Sequence, residues 1–347
     1  MITYPVDIAI LAGYFALIFG LLGCILPFVA KSWVWSKTSQ FTFGFSLVAL
    51  LTTWTYMFKY FHYSYLQWQS STDARPESLL DSLSLWLHSV SLFDDAWRTV
   101  SVGTIQWLWS HQLCAFTSTV WMPFLAIEAQ RRKIPYAWAY MLLGQVVAIS
   151  FAACLFFAVM ACLPIRPAGT VAFNASITAI CAVVGIVTVV VSPFVATGSG
   201  FMPNLMLMHA VLVVPLLLPN NWLHPFTVRQ SRALAAIYLF SAGANFVNLL
   251  QQLIPAIVTA KAQFIPEMIS VFMGHPAQSS IGCDILCVNY FCAAWMILDS
   301  QSLDRPKQGL HTKMNRKIAY FLCAATPVLS ISITLPLYLA WRELSYT

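Results

Sequence analysis

The sequence predicts an all-α protein, a polytopic transmembrane helical bundle of about eight spans. Three observations carry this. Hydrophobic residues make up 59% of the 347 positions and charged residues only 9%, where a soluble domain carries about a quarter charged residues. Apolar runs of about 20 residues, the length that crosses a hydrocarbon core, recur along the chain. The runs are continuous and do not alternate apolar with polar residues, which argues against an outer-membrane barrel. Residues 1–347 then form a single transmembrane domain, with a loop and interfacial helix at about 61–106.

Nine apolar segments lie near 8–30, 40–60, 107–127, 138–163, 171–195, 204–219, 232–257, 281–299 and 318–340. The first carries Asp7, lacks a positive leader and is too long for a signal-peptide core, so it is expected to be a retained span. The sixth, NLMLMHAVLVVPLLLP, is short and ends in proline, and a re-entrant course is expected for it. Basic residues support that expectation. With the sixth segment re-entrant, Lys31, Lys37, Arg131, Arg132, Lys133, Arg229, Arg232, Arg305, Lys307, Lys313, Arg316 and Lys317 share one side, twelve of the 18. That bias marks the side as cytosolic. Lys59, Arg75, Arg98, Arg166, Lys261 and Arg342 fall on the other side, as do both termini. The basic residues thus serve as topology signals, and nothing points to nucleic acid.

In the 61–106 connection, PESLLDSLSLWLHSVSLF has apolar residues at helical spacing and is expected to lie at the interface. QFIPEMISVFMGHP (263–276) is similar, and the two form a prospective lid over a cavity. The nine cysteines show no CxxC or metal-ligand spacing, and buried unreactive thiols are expected. The Asn174-Ala-Ser sequon begins a span and is expected to be unused.

The stretch from Phe93 to Lys133 joins an acid pair, Asp94 and Asp95, to Trp107, Trp109 and His111, and closes on Glu128 and Arg131-Arg132-Lys133. Glu128 sits three and four residues before two arginines, so a surface ion pair accounts for it. Ionisable groups at membrane depth are costly and therefore functional candidates. Asp284, three residues into the eighth segment, is the foremost, because an unpartnered carboxylate there costs several kcal/mol. Asn245, Asn248 and Gln252 share one face of the seventh segment, and Trp54 and Tyr56 lie near the end of the second. Each has a plain alternative. Asp94 and Asp95 suit solvated loop acids or caps, His111 an interfacial residue, and the amides interhelical hydrogen bonds. DDxxD, NxxxDxxxD, DxDD, HExxH, GxSxG and phosphate-loop motifs are all absent, so a magnesium–diphosphate prenyltransferase site gains no support.

The stretch WSHQLCAFTSTVWMPFLAIEAQRRKIPYAWAYMLLGQVVAISFAACLFF, marked by Trp109, Gln112, Glu128, Arg131, Arg132, Gly144 and Gln145, resembles fungal integral-membrane terpene cyclases of meroterpenoid pathways, the ascofuranone and macrophorin type. The likeness is closest over 97–157 and looser over the rest. It implies protonation of an epoxide or terminal alkene on a farnesyl-type chain attached to an aromatic or quinone-like head, without a metal or other cofactor. It also implies an endoplasmic reticulum location and association with an epoxidase or prenyltransferase of the same pathway.

Such chemistry needs a protonated carboxyl, aromatic faces for the cation and a dry pocket. Asp284, with Asp94 and Asp95, is the candidate acid and its support. His111, Asn245, Asn248, Gln252, Trp54, Tyr56 and Trp107 are the candidate substrate contacts. The rival expectations are a transporter of a small solute or protons, with a water path through the bundle, and a non-catalytic scaffold in which Asp284 pairs with a basic or amide group and no cavity is left.

Overall fold

A computed structural model of the chain describes residues 2–73, 76–166, 170–303 and 316–345, nearly all of them helical. Helix α1 (Pro5–Ser32) begins with proline, whose missing N–H is harmless in the first turn. Helix α2 (Lys37–Ser71) begins with a capping box between Ser36 and Ser39. It runs past 60, so the 61–106 connection is partly its extension. The short helices α3 (Leu79–Ser89) and α4 (Leu92–Ser101) follow. Asp81 of α3 accepts from the Thr3 N–H at 3.0 Å and the Thr3 hydroxyl at 2.7 Å, which places α3 beside the start of α1. This is the N-terminal end of the bundle.

Helix α5 (Thr104–Phe116) passes through a π turn, Thr117–Trp121, into α6 (Met122–Arg132). Pro123 has no N–H to give the Thr119 carbonyl one turn back, and the Ser241 hydroxyl supplies a bond at 2.9 Å. The chain continues through α7 (Ala137–Val146), α8 (Ile149–Cys162), α9 (Ala175–Val195), α10 (Phe201–Val213), α11 (Val228–Ala260), α12 (Phe264–Gly274), α13 (Pro276–Leu303), α14 (Arg316–Leu329) and α15 (Ile331–Ser345). Ala172–Phe173 and His224–Pro225 pair antiparallel as the two-residue strands β1 and β2. Five stretches are long and apolar enough to cross a membrane: α1, α2, α9, Val228–Gly274 and Pro276–Gln301. The chain is a multi-pass membrane protein.

Two segments expected as single helices are helical hairpins. In the first, α7 starts beside the end of α6, and its last carbonyl, Val146, accepts from the Tyr14 hydroxyl a third of the way along α1. Helix α8 then returns: the Cys162 thiol meets the Val34 N–H at 3.3 Å, past the far end of α1, and the Arg166 N–H bonds the Arg131 carbonyl at 2.9 Å. The legs close on Gly144, where a Cβ would lie 2.9 Å from Ile149 Cδ1. In the second, Ser330 takes a left-handed conformation (φ 71°) between α14 and α15, and the Thr326 and Thr334 hydroxyls meet across the turn at 2.8 Å. Both outer ends lie beside the end of α13, through Gln301 to Tyr320 at 3.4 Å and Tyr338 to Asp299 at 2.8 Å. Both legs of each hairpin are apolar, so hydropathy alone merges them.

The sixth segment does not double back. Arg98 of α4 bonds the Ala196 and Gly198 carbonyls just before α10, at 2.7 and 3.1 Å. After α10, the Phe226 N–H bonds the Val171 carbonyl at 2.8 Å, and the Phe226 ring lies 5.0 Å from the Arg131 guanidinium at the far end. With its 3₁₀ continuation to Leu216, α10 runs the length of the bundle.

At that far end the expected surface ion pair is a buried cluster. Glu128, 1% exposed, bonds Arg131 at 2.8 Å and also Arg132 and Arg342. Arg131 reaches the Glu343 oxygens at 2.7 and 2.6 Å, and Arg342 lies 3.5 Å from Asp299. Arg166 and Arg342 therefore belong with Arg131, not opposite it, and the two ends of the described chain lie at opposite ends of the bundle. The physical reason is the second hairpin, which returns α15 to the end where α14 began. The central core packs α6, α8 and α13 through Phe124, Phe157 and Trp295, with the Phe157 and Trp295 rings 4.8 Å apart.

Candidate functional site

Helix α7 stops at the level of Tyr14, short of the N-terminal end of the bundle, and the space beyond its tip is a cavity of about 690 Å³. The turn from Gly144 to Ile149 forms its floor and the first turn of α4 its opposite wall, with α1, α2, α10 and α13 contributing sides. The lining is mainly apolar. Ile10 and Phe93 line it while remaining 66% and 45% exposed, so it opens between α1 and α4 toward the surroundings of the bundle.

Asp284 of α13, 6% exposed, lies at the floor. Its Oδ2 accepts from the Ile149 N–H at 2.9 Å and its Oδ1 from the Ser150 N–H at 2.7 Å. These are the first N–H groups of α8, which have no partner inside their helix. The hairpin break exposes them and a carboxylate complements the positive helix end. The scaffold expectation that Asp284 is paired holds in this respect, whereas its companion expectation of no cavity does not.

Asp94 lines the same cavity. The break thus brings together two of the three sequence-predicted acids, Asp284 and Asp94, from distant parts of the chain. Asp94 Oδ2 accepts from Arg98 Nε at 2.8 Å, while Oδ1 is buried without a hydrogen-bond partner. Asp95 caps the start of α4 instead, accepting from the Ser91 N–H at 3.1 Å, and lines a second, more open pocket with Tyr60, Tyr63 and His275.

The remaining predicted contacts lie elsewhere. His111 is buried and its Nδ1 bonds the Trp107 carbonyl at 2.8 Å, the i−4 position of its own helix. Trp107 packs among Cys114, Ile186 and Val189. Trp54 packs edge-on against Phe15 and Phe58, and Lys59 sits 4.9 Å from the Tyr56 ring. Asn245 donates to Thr119 Oγ1 at 2.9 Å and to the Ser332 carbonyl at 2.8 Å. Pro336 leaves that carbonyl without its helical partner, so Asn245 compensates a proline in the neighbouring hairpin. Asn248 is buried with neither amide atom bonded. Gln252, half-buried one turn further on, is not among the cavity-lining residues.

Two lining residues escaped the sequence reading. His209 of α10 lies edge-on to Phe93 and Trp97, at 6.2 and 6.0 Å between ring centres, and its Nδ1 bonds the Leu205 carbonyl at 2.7 Å. Tyr14 anchors the tip of α7. An ionisable ring within the apolar run NLMLMHAVLVV was a usable signal for His209. Nothing local marked Tyr14.

Among the described residues no group of three or more His, Cys, Asp or Glu side chains stands at metal-binding spacing. The nine cysteines are free thiols. The Asn174 amide caps α9 and bonds the Trp222 carbonyl at 2.7 Å. Helix α12 carries its exposed Ile265, Ile269 and Met273 along one face and docks on Trp109 through Phe272. It does not line the cavity, whereas Leu87 of α3 and the first turn of α4 do.

No curated protein and no solved structure matches the chain. The regions that match a family, residues 94–161 and 237–344, hold Asp94, Asp284 and both hairpins. Together they amount to just over half of the sequence, and the chain belongs to the protein family of unknown function DUF2834.

Proposed function

We propose that the chain is a membrane-bound terpene cyclase that protonates an epoxide or terminal alkene of a farnesyl-type chain on an aromatic or quinone-like meroterpenoid. The observation that carries this reading is the apolar cavity of about 690 Å³ with the carboxyl groups of Asp284 and Asp94 in its walls. Pockets enclosing drug-sized ligands span about 300–1,000 Å³. A substrate of this class is lipophilic and reaches a side opening from lipid.

In this scheme Asp284 carries the initiating proton on one oxygen and forgoes one of its two backbone bonds. When the proton passes to the epoxide oxygen or the alkene carbon, the Ile149 and Ser150 N–H groups receive the carboxylate left behind, as pre-organised donors do for developing charge. The cation migrates along the prenyl chain as its double bonds close rings, flanked by Phe61, Phe93 and Trp97. Loss of a proton from carbon ends the reaction, so product and substrate are isomers. Asp94, paired with Arg98 at 2.8 Å, supports the positive charge. The scheme calls on no metal. The location in endoplasmic reticulum and association with an epoxidase or prenyltransferase belong to the same proposal.

A membrane course of seven crossings goes with this reading. Helices α1, α2, α5–α6, α9, α10, α11 and α13 cross, and the α7–α8 and α14–α15 hairpins enter and leave from the basic, cytosolic face.

Microsomes containing the protein, fed a farnesyl-aryl epoxide, are expected to yield a cyclised isomer, with the Asp284→Asn variant losing at least a hundredfold in rate. Equal turnover by the variant removes Asp284 from the scheme, and absence of any product from the wild type overturns the cyclase reading.

The broken helices favour a second reading, a transporter. Helix ends meeting at mid-bundle are how many transporters build a solute site. It predicts that small thiol reagents reach the cavity from both ends of the bundle, whereas the cyclase predicts access from the side opening alone.

A further inference from the structure

Five of the six hydroxyl groups lining the cavity are directed to the backbone. Tyr14 bonds the Val146 carbonyl, Thr53 that of Ala49 at 2.7 Å, Tyr60 that of Leu92 at 3.0 Å, Thr117 that of Leu113 at 2.7 Å, and Ser280 that of Thr53 at 3.0 Å. Each hydroxyl has one hydrogen to give and gives it there, so each offers the cavity only lone pairs. Asp94 and His209 extend the pattern. Asp94 Oδ1 is buried with no donor, and a carboxylate is acceptor-only. The His209 Nδ1–H is committed to Leu205, so in the neutral ring Nε2 is an acceptor. Phe93 and Trp97, one on each side of Asp94 in α4, both contact the His209 ring, which brings His209 and Asp94 to the same wall. Arg98, the neighbouring cation, already bonds Asp94, Ala196 and Gly198. The donors left among the described lining residues here are the Trp97 indole N–H, the Ser91 hydroxyl and the second amide hydrogen of Gln145, whose first goes to the His209 carbonyl at 3.2 Å.

We propose that Asp94 Oδ1 and His209 Nε2 form a subsite for the hydroxyl head of the ligand, an amphiphile whose chain extends over the apolar wall toward Asp284. A neutral alcohol or phenol gives its hydrogen to one of these acceptors and fills an otherwise unmet bond. A phosphate or carboxylate head brings a negative charge to a wall that already holds the Asp94 carboxylate, and Arg98 is not among the residues that line the cavity. An ether or ester head has no hydrogen to give. The subsite rests on the cyclase reading for the cavity being the ligand site and goes beyond it in naming the head group and the residues that select it.

The test uses ligands that cannot cyclise. Hexahydrofarnesol, its methyl ether and its monophosphate are titrated against the full chain in nanodiscs. The alcohol is expected to bind at least tenfold tighter than the ether, and the phosphate more weakly than the alcohol. His209→Phe keeps the ring contacts with Phe93 and Trp97 and is expected to cut the alcohol-to-ether ratio at least threefold while leaving ether affinity unchanged. Asp94→Leu with Arg98→Leu removes the charge pair together and is expected to lower the same ratio. An unchanged ratio in both variants, equal binding of alcohol and ether, or tightest binding of the phosphate overturns the subsite. If the epoxide is still cyclised in that case, the subsite alone has failed. If none of the three ligands binds the folded protein, the cavity is not a ligand site and the cyclase reading fails with it.

Discussion

Asp284 and Asn289, five residues apart on α13, each close the broken start of a different helix. Asp284 accepts from the first N–H groups of α8, and Asn289 Oδ1 accepts from the Ile331 N–H at the start of α15, at 2.7 Å. One continuous helix thus holds the tips of both hairpins, and the cavity owes its floor to the first of them.

Replacing Asp284 separates its two roles. Asp284→Ala leaves two buried N–H groups without acceptors, each worth about 1–3 kcal/mol, so a clear fall in thermal unfolding temperature is expected in detergent. Asp284→Asn keeps one acceptor and is expected to lose less stability while losing the transferable proton. If both variants unfold alike, the cap is not what Asp284 contributes.

Gly144 sets how closely the first hairpin closes. A Cβ there would meet Ile149 Cδ1 at 2.9 Å and Ala152 Cβ at 3.4 Å. Gly144→Val is expected to destabilise by about 1–3 kcal/mol through overpacking, and Ile149→Ala is expected to recover part of that loss in the double variant. Additive losses, measured by thermal unfolding, would show that the legs do not press on each other there.

The buried ion cluster predicts asymmetric mutational costs. Arg342→Met removes one of the three arginines on Glu128 and the arginine nearest Asp299, and is expected to cost about 3–5 kcal/mol, as breaking a buried pair does. Glu128→Gln in that background is expected to restore stability in part. The measurement is a double-mutant cycle of unfolding temperatures, and a coupling energy near zero contradicts the network.

The N-terminal tether is the pH-sensitive contact. The hydrogen bonds from Thr3 hold the Asp81 carboxyl below its usual range, near 3.9 for an unfolded chain. A depressed carboxylate stabilises above that unfolded value, and its contribution disappears as pH falls through the lower folded value. The protection of the Thr3 and Tyr4 amides, relative to their intrinsic exchange at each pH, is therefore expected to be high at pH 6 and to fall below about pH 4, and Asp81→Asn is expected to show the lower protection at both. Acid-insensitive protection in the wild type would contradict the tether.

Opposite ends for the two termini give a membrane test. A glycosylation acceptor appended to the N-terminus is expected to be modified, and one appended after residue 347 to stay unmodified. Modification of both corresponds to the eight-span course with both termini outside.

The helical class and most segment positions could be read from hydropathy, because burial in lipid demands long apolar runs whatever their tertiary partners. Asp284 could be read as well, since an acid at that depth needs an explanation. The hairpin breaks could not. Val147 and Ala148 are ordinary apolar residues, and the break between α7 and α8 is held by a side chain some 135 positions away. Charge counting failed at Arg342 for a related reason. It treats each arginine as a marker of its own loop, while Arg342 is neutralised inside the protein by Glu128. The amide face of α11 could be read as polar, but its assignment to proline-freed carbonyls depended on which helices lie beside it.

The ion cluster also dictates an order of assembly. Glu128 and Arg131 leave the ribosome about two hundred residues before the two side chains that complete their bonding, Arg342 and Glu343. Until then Glu128 has Arg131 and Arg132 of its own helix as partners, and the net positive group they form keeps the site wet. Closure of the last hairpin expels that water and seals the bundle in one step. A chain interrupted just short of residue 342 would hold nearly every helix and still lack the two side chains that complete the cluster.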